Sequence, residues 1–117
     1  MDKLQEYDSI RKNSRKFLDL SPDVRDKFLD HYQASYKPGA IDAKTKRLMA
    51  MCGGLIAGCT GCIIGQLNMA VEEGATVQEI LETCAVAMSL GGTLAWSQIS
   101  MVVEYLEKNG MLEGSEG

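Results

Sequence analysis

Residues 42–74 read DAKTKRLMAMCGGLIAGCTGCIIGQLNMAVEEG, and the punctuation of this stretch decides the fold. Asp42 is placed to cap a helix, and Leu48, Met51, Cys52 and Leu55 follow at helical spacing from about Ala43 towards Gly58. Gly58 is a natural break. Cys59 then begins a second run that continues to Glu73 and stops at Gly74. These are two consecutive helices divided by one glycine, with a Cys-Thr-Gly-Cys pair at the start of the second.

The same grammar extends in both directions. Upstream, Leu4, Tyr7, Ile10, Phe17 and Leu18 predict an amphipathic helix. Ser21 followed by Pro22 is an N-cap with proline at the first helical position, opening a helix with Val24, Phe28 and Tyr32 on one face. Pro38-Gly39 ends it. Downstream, Thr76-Val77-Gln78-Glu79 matches a capping box and starts a fifth helix, whose inward stripe is Val77, Ile80, Leu81, Cys84 and Met88. Gly91-Gly92 separates this from a sixth, Leu94 to about Lys108, stopped by Asn109-Gly110. No strand pattern survives. The expectation is an all-α, single-domain bundle of about six helices over residues 1–117, with 113–117 a loose tail. The sixth helix is apolar on nearly all sides, Trp96 included, and such a helix needs cover all round. Some of that cover is expected from other subunits of a homo-oligomer.

Composition narrows the function classes. The chain has 117 residues, 45% of them hydrophobic and 24% charged, and a net charge of −4 without a dense basic run. Nucleic acid is therefore not an expected partner. The charged N-terminus, Met1-Asp2-Lys3-Leu4-Gln5-Glu6, lacks the apolar run of a secretory signal, which implies a cytoplasmic, reducing setting. Four cysteines there read as reduced, catalytic or buried rather than as a disulfide framework. Leu48 to Val71 and Thr83 to Val103 are uncharged and long enough to span a bilayer. Gly54/Gly58 and Gly61/Gly65 also have the spacing of membrane helix contacts. Their glycines, serines, threonines and amides, and the missing aromatic belts, favour buried helices of an oligomer that uses no membrane.

Cys59 and Cys62 are three positions apart at a helix start, the arrangement dithiol redox chemistry uses. The helix field favours Cys59 as the thiolate. The bland reading is two small buried hydrophobes in a closely packed helix. Half a zinc site has the same spacing, but only His31, Cys52 and Cys84 remain as soft donors, and none forms a second pair. Cys52 and Cys84 read as core residues, and His31 as a polar edge residue. Tyr32, Tyr36 and Trp96 read as packing. Lys44, Lys46 and Arg47 read as a solvated first turn. Gln66 lies one turn beyond Cys62 and faces the same space.

Here the sequence resembles the carboxymuconolactone decarboxylase family, of the alkylhydroperoxidase D-like kind. The Lys44-Thr45-Lys46-Arg47-Leu48 run, the Cys59/Cys62 pair and the Glu73-Gly74-Ala75-Thr76 junction carry the likeness, which extends from about Ser21 through Gly91-Gly92. The resemblance implies an all-helical subunit that assembles as a trimer or hexamer. In the redox-active members the two cysteines reduce hydroperoxides or pass electrons, served by a glutamate–histidine proton relay. This chain has Arg47 at the glutamate position and Gln66 at the histidine position, so neither residue works as a base. The family histidine lies one turn from the second cysteine, which implies Cys62 as the attacking sulfur. Arg47 can instead lower a thiol pKa by Coulomb attraction.

The expected catalytic set is accordingly Cys59, Cys62, Arg47 and Gln66. The leading expectation is a thiol-dependent, peroxidase-like oxidoreductase acting on a hydroperoxide or disulfide, restored by a dithiol reductant protein. No haem, flavin or metal is required. The alternative is a non-redox lyase or binder of small carboxylic acids, with Arg47 holding the carboxylate. A third is an oligomeric scaffold or sensor whose thiols respond to oxidation without turnover.

Overall fold

A computed structural model describes residues 2–112, so the 113–117 tail lies outside the described residues. Five helices follow one another: α1 (Lys3–Leu20), α2 (Pro22–Tyr36), α3 (Ala43–Ala57), α4 (Thr60–Glu72) and α5 (Val77–Lys108). No strand occurs among the described residues. The fold class is all-α, as the sequence implies. The expected fifth and sixth helices run on as one element, α5, broken without a loop at Gly92 (φ 64°, ψ −146°).

Each start has a chemical cause. Asp42 accepts the Thr45 amide at 2.7 Å, relieving one of the orphan donors of α3. Thr76 and Glu79 form the full capping box of α5, at 3.1 and 2.8 Å. Glu79 also receives Lys44 at 2.8 Å, which ties the first turn of α3 to that of α5. Ser21 occupies the N-cap of α2 with Pro22 behind it, but its side chain makes no capping bond. Gly58 closes α3 in left-handed backbone (φ 73°), a conformation that a β-carbon resists. The next two amides, of Gly58 and Cys59, both return to the Gly54 carbonyl.

The core lies where α3 packs on α4 and α5. Met51, Leu55, Ile63, Ile64, Leu67, Ile80, Val102 and Leu106 are fully buried there. The α3–α4 crossing is close because Gly54 has no side chain. A Cβ on Gly54 would stand 3.0 Å from the Cys62 Cβ and 3.1 Å from the Ile63 nitrogen. On the other side of α4, α1 crosses over Gly61 and Gly65, with Ile10 and Tyr7 above them. Of the small residues whose spacing suggests membrane contacts, Gly54, Gly61 and Gly65 therefore serve helix packing inside the chain, while Gly58 ends α3. The uncharged 48–71 stretch folds back on itself at Gly58 and forms no single span. Helix α5 is long and apolar enough to cross a membrane by length and composition. Gly92 divides it into segments 77–91 and 93–108, each short of the roughly 20 residues a span needs.

Two expected faces are corrected. On α5 the buried stripe is Ile80, Cys84 and Ala87, while Leu81 and Met88 face outward. On α2 no residue is buried, and Val24 and Phe28 are exposed although their periodicity is amphipathic. Helical spacing identifies an apolar side; it does not say that the same chain covers it. The apolar surface continues on α5, where Leu90 is 80% and Trp96 is 64% exposed.

The Gly54 crossing yields a paired prediction. Gly54→Ala should lower stability by about 1–3 kcal/mol through overpacking against α4. At Gly53, also inside α3, an added Cβ meets nothing within 4 Å, and Gly53→Ala should be neutral or gain up to about 1 kcal/mol. Thermal melts of the two variants should move apart; equal shifts would remove the crossing argument.

Candidate functional site

Cys59 is the N-cap of α4, one residue earlier than a helical Cys59 would be. Its sulfur accepts the Cys62 amide at 3.2 Å, in place of the usual oxygen. The backbone at this turn sets the two cysteines at disulfide distance, with Cα atoms 5.2 Å apart. Cys59 is half-buried and Cys62 is exposed. Both open onto a cleft of about 630 Å³ between α1, α2 and α4, which Gln66 and Tyr32 also line. The sulfur at the N-cap stands at the positive end of the α4 dipole, which favours negative charge on Cys59.

Arg47 is not part of a solvated first turn. It is only 7% exposed, and its side chain reaches from α3 towards α2 and α4. The neighbouring cations behave differently: Lys44 pairs with Glu79, and Lys46 donates to the Ser35 and Lys37 carbonyls at 3.0 and 2.8 Å. Arg47 Nη1 donates to the Tyr32 hydroxyl and, at 3.0 Å, to Gln66 Oε1. Gln66 Nε2 completes the triangle by donating to the Tyr32 hydroxyl at 3.4 Å. The guanidinium lies 3.9 Å from the centroid of the Tyr36 ring and 5.1 Å from that of Tyr32. Among the described residues this buried cation therefore meets only neutral groups and π faces, from Tyr32, Tyr36 and Gln66. Burial raises the Tyr36 pKa, Tyr32 beside it raises it further, and Arg47 opposes both.

The structure thus brings Arg47 and Gln66 into direct contact, and puts Gln66 in one cleft with Cys59 and Cys62. The hydrogen bonds of Arg47 run to Tyr32 and Gln66 rather than to a sulfur. Tyr32 and Tyr36 belong to this site, although sequence assigned them to packing. Their i, i+4 spacing on α2 was the available signal, but nothing local says that they face Arg47. The other thiols sit apart. Cys84 is buried in the core, and desolvation first, with Cys52 nearby, pushes its pKa up to about 11. Cys52 is half-buried against the same core. His31 is exposed on α2. No group of three or more potential metal ligands occurs among the described residues.

These features define a class: an all-helical protein with a two-cysteine turn at a helix N-terminus, opening into a cleft. Residues 22–104 match the model of the carboxymuconolactone decarboxylase family. The chain belongs to that family. It is similar to apo-lpg0406, a carboxymuconolactone decarboxylase family protein of Legionella pneumophila, at 32% identity and TM-score 0.84, over 92% of this chain and 97% of that one. It is also similar to TM1620 of Thermotoga maritima, a family member described as "possibly involved in antioxidative response". The match there has 32% identity and TM-score 0.69, over 79% of this chain and 95% of that one. An uncharacterized protein in the cox locus of Paracoccus denitrificans is 29% identical over 85 residues, 73% of this chain and 77% of its own length.

Two measurements check this geometry. After reduction, native-state alkylation at pH 7.5 followed by peptide mapping should label Cys62 first. Cys84 should react at least about 100-fold more slowly, because the thiolate is the reactive form and burial suppresses it. Arg47→Ala should raise amide hydrogen exchange across α2 more than across α4, since α2 buries no residue of its own and meets this cation through two tyrosines. Uniform exchange changes would assign Arg47 a global role instead.

Proposed function

We propose that the protein is a thiol-dependent oxidoreductase that reduces a hydroperoxide or a disulfide through Cys59 and Cys62. The single observation that carries this reading is the cysteine turn itself. One sulfur caps the positive end of α4, the other is exposed, and both face a cleft of substrate size. Family membership supports it, as does the antioxidative role suggested for the Thermotoga protein.

In the proposed cycle a thiolate attacks the hydroperoxide and becomes a sulfenic acid, and the alcohol leaves. The neighbouring thiol condenses with the sulfenic acid, forming the disulfide and releasing water. A dithiol reductant protein then restores both thiols by exchange through the exposed Cys62. The cycle uses no haem, flavin or metal. A cytoplasmic, reducing setting suits it. Assembly into a homo-oligomer would cover the apolar face of α5 around Leu90, Leu94 and Trp96.

One observation favours the second reading, a lyase or binder of small carboxylic acids: Arg47 is buried with no carboxylate beside it among the described residues. Its Nη1 is already engaged, however, and the guanidinium does not line the cleft that holds the cysteines. The redox reading accounts for more of the site.

The test is hydroperoxide consumption with a dithiol donor. Cys59→Ser and Cys62→Ser should each reduce turnover by about 100-fold or more, a loss in the range expected for removing a group the chemistry requires. Binding or turnover of a small carboxylic acid that survives both cysteine substitutions but disappears in Arg47→Ala would favour the carboxylic-acid reading.

A further inference from the structure

Gln66 and Arg47 occupy the positions of a missing base relay, and both hold the same hydroxyl. An arginine only donates, so the oxygen of Gln66 must face Arg47 and its amide nitrogen must face Tyr32. The Tyr32 oxygen therefore receives two N–H donors, from Arg47 Nη1 and Gln66 Nε2. With its acceptor capacity used, the hydroxyl can only give its own proton away. No acceptor for that proton exists among the described residues. Tyr32 lines the cleft with Cys59 and Cys62, and the amide bonded to it belongs to the residue one helical turn after Cys62.

We propose that Tyr32 is the proton donor of the dithiol site, held in that role by Arg47 and Gln66. The assignment rests on the thiol-dependent reading above and supplies the acid that this reading lacks. When the thiolate sulfur attacks the outer oxygen of a hydroperoxide, an S–O bond forms and the O–O bond breaks. The bonding pair leaves on the alkoxide, which takes the Tyr32 proton and departs as the alcohol. The phenolate left behind lies against Arg47 and the Gln66 amide, then recovers its proton from water. Arg47 and Gln66 are positioning residues, and the buried charge of Arg47 matches the charge that Tyr32 acquires during the step. A cation and a phenol thus stand where the relay has a carboxylate and an imidazole, and they supply an acid in place of a base: a proton delivered where oxygen leaves.

The prediction depends on the leaving group. Prereduced protein is mixed with tert-butyl hydroperoxide or with peracetic acid, and disulfide formation is followed in a single turnover. Alkoxide is strongly basic and needs the proton; acetate leaves without one. Tyr32→Phe should slow the tert-butyl hydroperoxide reaction about 100-fold, at the low end of general acid catalysis. The peracetic acid reaction should change less than about threefold, since general acid help grows with the basicity of the group it protonates. That arm also reports whether the variant keeps its folded thiol site. Equal slowing with both oxidants, or none with either, overturns the assignment of Tyr32. A wild-type protein inert to both oxidants overturns the dithiol reading itself and this assignment with it.

Discussion

At Gly54 the backbones of α3 and α4 approach so closely that a β-carbon there would crowd the facing helix at 3.0–3.1 Å. The atoms opposite are the Cβ of Cys62 and the nitrogen of Ile63, so the crossing point and the cysteine turn are one piece of structure. The Gly54 carbonyl also receives the two amides that end α3, including that of Cys59. One peptide unit therefore fixes where α3 stops, how α4 lies on it and where both sulfurs emerge. The cleft exists because α1 then crosses the far side of α4, over Gly61 and Gly65.

Arg47 depends on that crossing. It sits on α3 a little over three turns before Cys59, and it reaches Gln66 only because α4 lies so near. A buried cation surrounded by neutral partners is an expensive arrangement unless something compensates it. Here the compensation is distributed over the Gln66 carbonyl, the Tyr32 oxygen and two ring faces. The same contacts help to anchor α2, together with its packing on α1 and the Lys46 bonds to the Ser35 and Lys37 carbonyls. Packing of the second helix and organisation of the polar site are thus a single interaction seen from two sides.

Local chemistry was legible in the chain, and long-range facing was not. Asp42, Gly58 and Thr76 act through neighbours within a few residues, so their roles could be read directly, and Cys59 was displaced by only one position. The Val24–Phe28–Tyr32 side of α2 shows the limit, since periodicity defines a side without naming what meets it. Leu81 and Met88 failed similarly, while Ala87, too small to stand out in a stripe, proved to be buried. For Arg47, a basic first turn made solvation the natural expectation. Only the fold shows that Lys44 and Lys46 have partners of their own and that Arg47 alone turns inward. Tyr32 was missed because its significance lies in two donors from two other helices.

The sulfur at the head of α4 has one more implication. A capping serine or aspartate has no redox chemistry of its own, whereas the Cys59 sulfur accepts the Cys62 amide while it is bonded to the Cys62 sulfur. The first turn of α4 is therefore capped, in the crosslinked form, by the same atom that carries the bond. Helix end and covalent crosslink share one sulfur, so a rigid scaffold carries the bond at its tip.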